Sequence, residues 1–145
     1  MTSRIKKTIT HMALFASCFS LLSCSTTSGP VFKGTVLKEQ QAIIYFYREF
    51  AVAGAVLSAY VAVDGKEVAS LSNGGYFAYL TRPGQVKIKA TGGFMERKLE
   101  LKVEPGQSYY VRTGGVMSEN DFILVLMQPE VGKVQIMDNH LQTLK

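Results

Sequence analysis

Short runs of apolar and polar positions follow one another through most of this 145-residue chain, from residue 42 to residue 128. Residues 85–90 alternate between the two kinds, and so does the second half of residues 95–103, with aliphatic side chains on one side and lysine or glutamate on the other. Successive side chains of a β-strand point to opposite faces. Both segments are therefore predicted to be strands with one buried and one solvated face.

Two other runs are apolar on both faces. Residues 42–48 read Ala-Ile-Ile-Tyr-Phe-Tyr-Arg, and residues 122–128 read Phe-Ile-Leu-Val-Leu-Met-Gln. A strand that is apolar on both sides is typical of a buried position in a sheet. We expect residues 42–48 to form a central strand.

Turn signals separate these runs at intervals of about 8 to 12 residues, the spacing expected of an all-β sandwich or barrel. Asp64-Gly65 is the strongest hairpin signal, and Pro83-Gly84 and Pro105-Gly106 mark further turns. The pattern predicts an all-β fold, an antiparallel β-sandwich of about seven or eight strands.

The pattern changes after Pro129. Val131, Val134, Met137 and Leu141 recur at near-helical intervals. We expect residues 130–145 to form a short C-terminal helix or arm that packs on the sandwich.

The amino-terminal segment resembles a bacterial lipoprotein signal. Arg4, Lys6 and Lys7 precede an apolar run over residues 9–22, which is shorter than the roughly 20 residues that span a bilayer as a helix. The run closes on Leu-Leu-Ser-Cys at residues 21–24, the pattern of a lipobox. An ordinary signal peptide or a short buried helix are the alternatives.

On this interpretation residues 1–23 are a signal peptide and Cys24 becomes the acylated first residue of the mature chain. Acyl chains such as palmitate would then hold the domain at a membrane. In the lipoproteins that this segment resembles, Ser25 in place of an aspartate favours the outer membrane, so we expect a protein of the cell envelope that faces the periplasm.

Residues 24–40 are predicted to be the lipidated N-terminus and a flexible tether, residues 41–129 the sandwich domain, and residues 130–145 the helix or arm. The tether is rich in Ser, Thr, Gly, Lys and Gln and could reach about 50 Å when extended. Part of it, over residues 31–37, could instead pair with the domain as a strand.

The net charge and the cysteine content limit the kinds of partner, cofactor and metal that we expect. Without residues 1–23 the chain keeps 13 basic and 11 acidic residues, a net charge of about +2, so we expect no nucleic-acid partner. Cys18 leaves with the signal and Cys24 is the acylation site, so the domain has no thiol for a disulfide or a metal. We expect neither cofactor nor metal.

Five motifs together carry a resemblance to a family. They are Tyr-Phe-Tyr-Arg at 45–48, Val-Asp-Gly-Lys at 63–66, Asn-Gly-Gly-Tyr-Phe at 73–77, Pro-Gly-Gln at 83–85 and Tyr-Tyr-Val-Arg at 109–112. Over residues 41–129 the chain resembles an uncharacterised family of Gram-negative lipoproteins with a domain of unknown function. That family is similar in turn to the PEGA and carboxypeptidase-regulatory β-sandwich modules. The resemblance implies a fold and an envelope location but no catalytic residue.

Candidates for catalysis are few. The two histidines are His11, in the signal, and His140, which we expect to be a solvated tail residue. A serine or cysteine triad and a structural zinc site are therefore not expected. Glu119 and Asp121 are the nearest carboxylate pair for a weak hydrolase, but their place in a loop is better explained by solubility. We expect no enzymatic activity.

Seven tyrosines are the main candidate for binding. Adjacent residues of a strand face opposite ways, so Tyr109 or Tyr110 must point to the outer side of its sheet. The candidate binding residues are Tyr47, Arg48, Tyr76, Tyr110 and Arg112. Ordinary packing is the favoured explanation for the rings; an exposed cluster would suit contact with an envelope protein or, alternatively, a cell-wall glycan.

Overall fold

The computed structural model describes residues 29–52, 57–116 and 121–142, so the proposed signal and Cys24 lie outside the described residues. The described chain forms nine strands and one short helix. The strands are β1 (Ala42–Tyr47), β2 (Ala59–Val63), β3 (Lys66–Leu71), β4 (Gly75–Thr81), β5 (Gly84–Gly92), β6 (Met95–Val103), β7 (Ser108–Val116), β8 (Asp121–Met127) and β9 (His140–Leu141). The helix, α1 (Pro129–Gln135), lies between β8 and β9.

The strands form two sheets, one with the order β8-β7-β1-β4-β9 and one with the order β3-β2-β5-β6. The predicted all-β sandwich with a short C-terminal helix is confirmed. Most neighbouring strands are antiparallel, but β1 pairs with β7, and β4 with β9, in parallel.

Strand β1 lies in the middle of the five-stranded sheet, as its two-sided apolar pattern predicts. Ala42, Ile44 and Phe46 face the core between the sheets. Ile43, Tyr45 and Tyr47 face the opposite side and belong to a second buried cluster. Both faces of β1 are therefore covered by protein.

The core between the sheets confirms the alternation predicted for β5 and β6. Val86, Ile88, Leu101 and Val103 are buried in it. On the solvated side, opposite charges lie beside each other: Lys89 is 3.4 Å from Glu96. Exposed pairs of this kind contribute little because solvent screens them, so burial of the aliphatic face is the larger contribution to stability.

The predicted Asp64-Gly65 hairpin joins β2 to β3. Both residues have positive φ, 49° and 83°, as a type I′ turn requires. The Asp64 carboxylate also accepts a hydrogen bond of 2.9 Å from the backbone N–H of Lys87, which ties the turn to β5.

The strand connections fall at two ends of the sandwich. The connections β1–β2, β3–β4, β5–β6 and β7–β8 lie at one end, which we call the Phe94 end. The connections β2–β3, β4–β5 and β6–β7 lie at the other, the Pro83 end. At the Phe94 end the Asn73 side chain exchanges two hydrogen bonds with the backbone of Ala51, 2.9 and 2.8 Å long.

The described part of the predicted tether packs on the sandwich. We call residues 29–41 the arm. Val31 forms a β-bridge with His140, and the N–H of Thr35 donates a 2.8 Å hydrogen bond to the Tyr45 hydroxyl. The described part of the segment predicted to be a tether, residues 24–40, therefore contacts the domain at Val31 and Thr35.

The face of helix α1 that packs on the sheet is not the face that the apolar pattern predicts. Gly132 and Ile136 are buried, whereas Val131, Val134 and Met137 are exposed. A glycine is needed at the contact because a Cβ at position 132 would collide with the side chain of Tyr110. The helix can lie this close to the sheet only through its smallest residue, and its apolar stripe is left in solvent.

Candidate functional site

Three of the candidate binding tyrosines lie on the outer face of the five-stranded sheet, beneath the arm and α1. Tyr47, Tyr76 and Tyr110 are all at least nine-tenths buried. The Phe32 ring of the arm contacts Tyr76 edge-on, with 5.3 Å between ring centroids. The outward direction is as expected, but these rings offer no open surface on which a ligand could stack, because the arm and helix already cover them.

The hydroxyl groups of this cluster also have partners within the protein. Tyr47 donates a 2.6 Å hydrogen bond to the side-chain oxygen of Gln135 in α1. Burial raises the pKa of Tyr47 to about 12, and the nearby carboxylate of Glu49 adds to the rise. Burial also raises the pKa values of Tyr76 and Tyr110. The hydroxyl of Tyr47 therefore fixes the helix and remains neutral at physiological pH.

Arg48 is buried and holds the Phe94 end together. Its guanidinium donates a hydrogen bond to the backbone oxygen of Leu57, and burial lowers its pKa. Its backbone oxygen accepts a 2.6 Å hydrogen bond from the amide of Asn139. The conformation of Gly114, with φ of 130° and no Cβ, leaves room for the arginine side chain. We assign Arg48 a structural role.

Arg112 is the most accessible of the five candidate residues. Its guanidinium forms a 2.8 Å ion pair with Glu49. Both line an open cleft of about 290 Å³, together with Arg48 and Phe50. That volume is at the lower limit of small-molecule pockets, which run from about 300 Å³ upward. Two of the five candidate residues, Arg48 and Arg112, line this cleft. Tyr76 and Tyr110 do not line it.

The candidates for catalysis give no assembled site within the described residues. Glu119 and the side chain of Asp121 lie outside them. His140 is half-buried in β9, with its Nδ1 2.7 Å from the backbone oxygen of Gly29, so the prediction of a solvated tail residue is wrong. Nowhere in the described ranges do three or more His, Cys, Asp or Glu residues group as metal ligands would.

Exposed apolar side chains lie on both β8 and α1. Strand β8 is an edge of its sheet and pairs only with β7 among the described strands. Its residues 122–127 are all apolar, and Val125 and Leu126, which face opposite sides of the sheet, are 44% and 41% exposed. Val131, Val134 and Met137 are exposed in and just after the helix that follows.

The other long edge strand, β6, differs sharply from β8. It carries Glu96, Lys98, Glu100 and Lys102 at its exposed positions. Natural proteins protect open strand edges with charge, proline or a bulge, because unpaired backbone groups otherwise pair with another chain. Strand β8 carries neither a charged residue nor a proline over residues 122–127, although β6 contacts it across the sandwich.

No helix among the described residues has the length and apolar character to cross a membrane. No curated protein matches the sequence. A family model does match, over residues 38–125, which is more than half of the chain and spans β1 to β8 except its last two residues. The family is described as a protein of unknown function, and the chain belongs to it: it is a member of the DUF2846 family.

Proposed function

We propose that this chain is a lipoprotein of the cell envelope, anchored through Cys24, whose sandwich binds an extended segment of an envelope protein along β8. The Leu-Leu-Ser-Cys sequence at residues 21–24 and the resemblance to Gram-negative lipoproteins support the anchor, and the likeness of that family to PEGA modules concerns the sandwich fold. Ser25 favours the outer membrane, with the domain facing the periplasm. The role proposed is non-catalytic.

The apolar edge of β8 is the observation that carries the binding role. A peptide added beside this strand gains backbone hydrogen bonds along its length. Its side chains would meet Val125 and the exposed stripe of α1. Beyond the end of β8, an open cleft of about 240 Å³ lined by Leu126, Met127 and Pro129 offers room for one apolar side chain of the partner.

The alternative function is a glycan-binding or peptidoglycan-binding module that uses tyrosine and arginine. Sugar rings stack on exposed aromatic faces, and Tyr47, Tyr76 and Tyr110 are buried. Arg112 is already paired with Glu49. These contacts favour the protein-binding role over the glycan-binding one.

Co-purification from crosslinked, intact envelopes tests the proposal when it compares matched variants. Val125 lies opposite Arg112 in the register of β7 and β8, so Val125→Glu keeps a favourable cross-strand neighbour while placing a charge on the edge. Tyr60 is similarly exposed, at 48%, but β2 has partners on both sides, so Tyr60→Glu is the control.

We expect the same partner to be recovered with the wild type and Tyr60→Glu, and most of it to be lost with Val125→Glu. Equal recovery with both variants would refute binding along β8. Retention of the protein on isolated cell-wall sacculi, without any protein partner, would favour the glycan-binding alternative.

A further inference from the structure

Four large apolar side chains are exposed at the Phe94 end. They are Phe50, Val52, Leu57 and Phe94, and Phe94 is fully exposed at the tip of the β5–β6 turn. Phe50 lines one cleft and Leu57 another, and the two clefts share Arg48 and Gly115. The second cleft is also lined by Met95, the residue after Phe94. The four side chains therefore belong to one end of the molecule.

The turns of the Pro83 end are more polar. They present Asp64, Arg82, Glu104 and Gln107 to solvent. Leu80 and Leu126 are exposed near this end, but both lie within strands, so a large apolar side chain exposed at a turn tip distinguishes the Phe94 end. Exposed apolar patches mark sites that contact another protein or a membrane.

The position of the arm favours the membrane as the occupant. Gly29 lies against Leu141, and Leu141 pairs with Tyr76 near the start of β4, in the half of the sheet nearer the Phe94 end. Five residue steps separate Gly29 from Cys24, and an extended chain covers at most about 17 Å in five steps. A domain held by acyl chains on Cys24 is therefore kept at the bilayer surface.

We propose that the Phe94 end rests on the lipid bilayer, with Phe94 and Phe50 among the headgroups and upper acyl chains. This inference relies on the proposed lipidation of Cys24. Acyl chains supply the attachment, and burial of the exposed apolar side chains fixes which end of the sandwich faces the lipid. Strand β8 then begins at the bilayer end and runs away from the membrane along the side of the sandwich, accessible to a partner.

Tryptophan fluorescence can test this orientation because the chain contains no tryptophan. Phe94→Trp places one reporter at the Phe94 end, where a fully exposed side chain tolerates the change. Lys66→Trp, at the exposed start of β3, is the matched control at the Pro83 end. The full chain is produced in a lipoprotein-processing bacterium and reconstituted into phosphatidylethanolamine and phosphatidylglycerol vesicles whose acyl chains are brominated.

We expect the tryptophan at position 94 to shift its emission to shorter wavelength and to lose most of its intensity to bromine quenching, while the tryptophan at position 66 keeps both. If the protein floats with the vesicles but the tryptophan at position 94 is not quenched, the orientation is refuted while the proposed anchoring stands. The Phe94 end would then be a surface for a protein partner. Equal quenching at both positions would also overturn it. An intact mass without acyl groups, and no flotation, would refute the proposed anchoring and the orientation with it.

Discussion

Gly132 of α1 packs directly on the side chain of Tyr110, so closely that a Cβ at position 132 would overlap it. Gly132→Ala should raise the helix propensity by about 1 kcal/mol, yet it must move the helix off the sheet. Overpacking of this kind costs about 1–3 kcal/mol, so we expect a net loss in the free energy of unfolding. Chemical denaturation measures it.

Lys133→Ala is the control for this helix, because Lys133 is exposed and the change also favours helix formation. Its free energy of unfolding should stay close to that of the wild type, because the gain in helix propensity offsets the lost interaction of a last-turn cation with the helix dipole. If Gly132→Ala were as stable as Lys133→Ala, the close approach of helix and sheet would be incorrect.

Phe32 should hold the arm against the sheet. Its ring meets Tyr45 and Tyr76 edge-on, with centroid distances of 5.0 and 5.3 Å. Because Phe32 is half-buried, Phe32→Ala should cost less than the 3–5 kcal/mol typical of a core phenylalanine, about 2 kcal/mol. Limited proteolysis should also cut the arm faster, and denaturation gives the stability. Val36→Ala, at a residue that is 92% exposed, should change neither; equal behaviour of the two variants would contradict a docked arm.

Asn139, the residue before β9, should stabilise the packing of this segment against the start of β4. Its buried amide donates to the backbone oxygens of Arg48 and Gly75, at 2.6 and 3.0 Å. Asn139→Ala leaves both oxygens without this donor, and we expect a loss of about 1–3 kcal/mol in the free energy of unfolding. Asp138→Ala, at an exposed neighbour, is the control and should be close to neutral. Similar stability of both variants in thermal and chemical unfolding would contradict this role.

The raised pKa of Tyr47 predicts a loss of stability at alkaline pH. An unfolded tyrosine loses its proton near pH 10, whereas folded Tyr47 keeps it until about pH 12. Between these values the unfolded state binds fewer protons, so the free energy of unfolding falls as the pH rises.

Unfolding curves of the wild type and Tyr47→Phe, measured below pH 10 and within the window, check this dependence. Phenylalanine has no proton to lose, so the variant should show a shallower fall. Some fall should remain, since burial also raises the pKa values of Tyr76 and Tyr110. Parallel curves for the two proteins would show that Tyr47 does not contribute.

Local sequence patterns correctly predict those features of the fold that depend on a single strand or a single turn. The alternation in residues 85–90 predicts which face of β5 is buried, and Asp64-Gly65 predicts its hairpin. A period shows which residues share a face, but it does not show what covers that face. For this reason Tyr47 and Tyr110 were candidates for an open surface although the arm and α1 lie over them.

The same limit explains the wrong prediction for the buried face of α1, and it applies to β8 as well. The apolar stripe of Val131, Val134 and Met137 predicts the buried face of α1, but contact with Tyr110 requires Gly132, which carries no hydrophobic signal. Residues 122–127 are apolar on both faces like those of β1, yet they form an edge strand. Position within a sheet depends on long-range pairing, which composition does not encode.

The parallel pairing of β1 with β7 governs when the fold can be completed. Ile43 is in register with Ser108, so the centre of the larger sheet joins segments from distant parts of the chain. Pairings of such high contact order fold slowly, in about milliseconds to seconds for all-β domains. A chain that emerges amino end first therefore cannot close the centre of its larger sheet until β7 has followed, although the β2–β3 and β5–β6 hairpins can form before that.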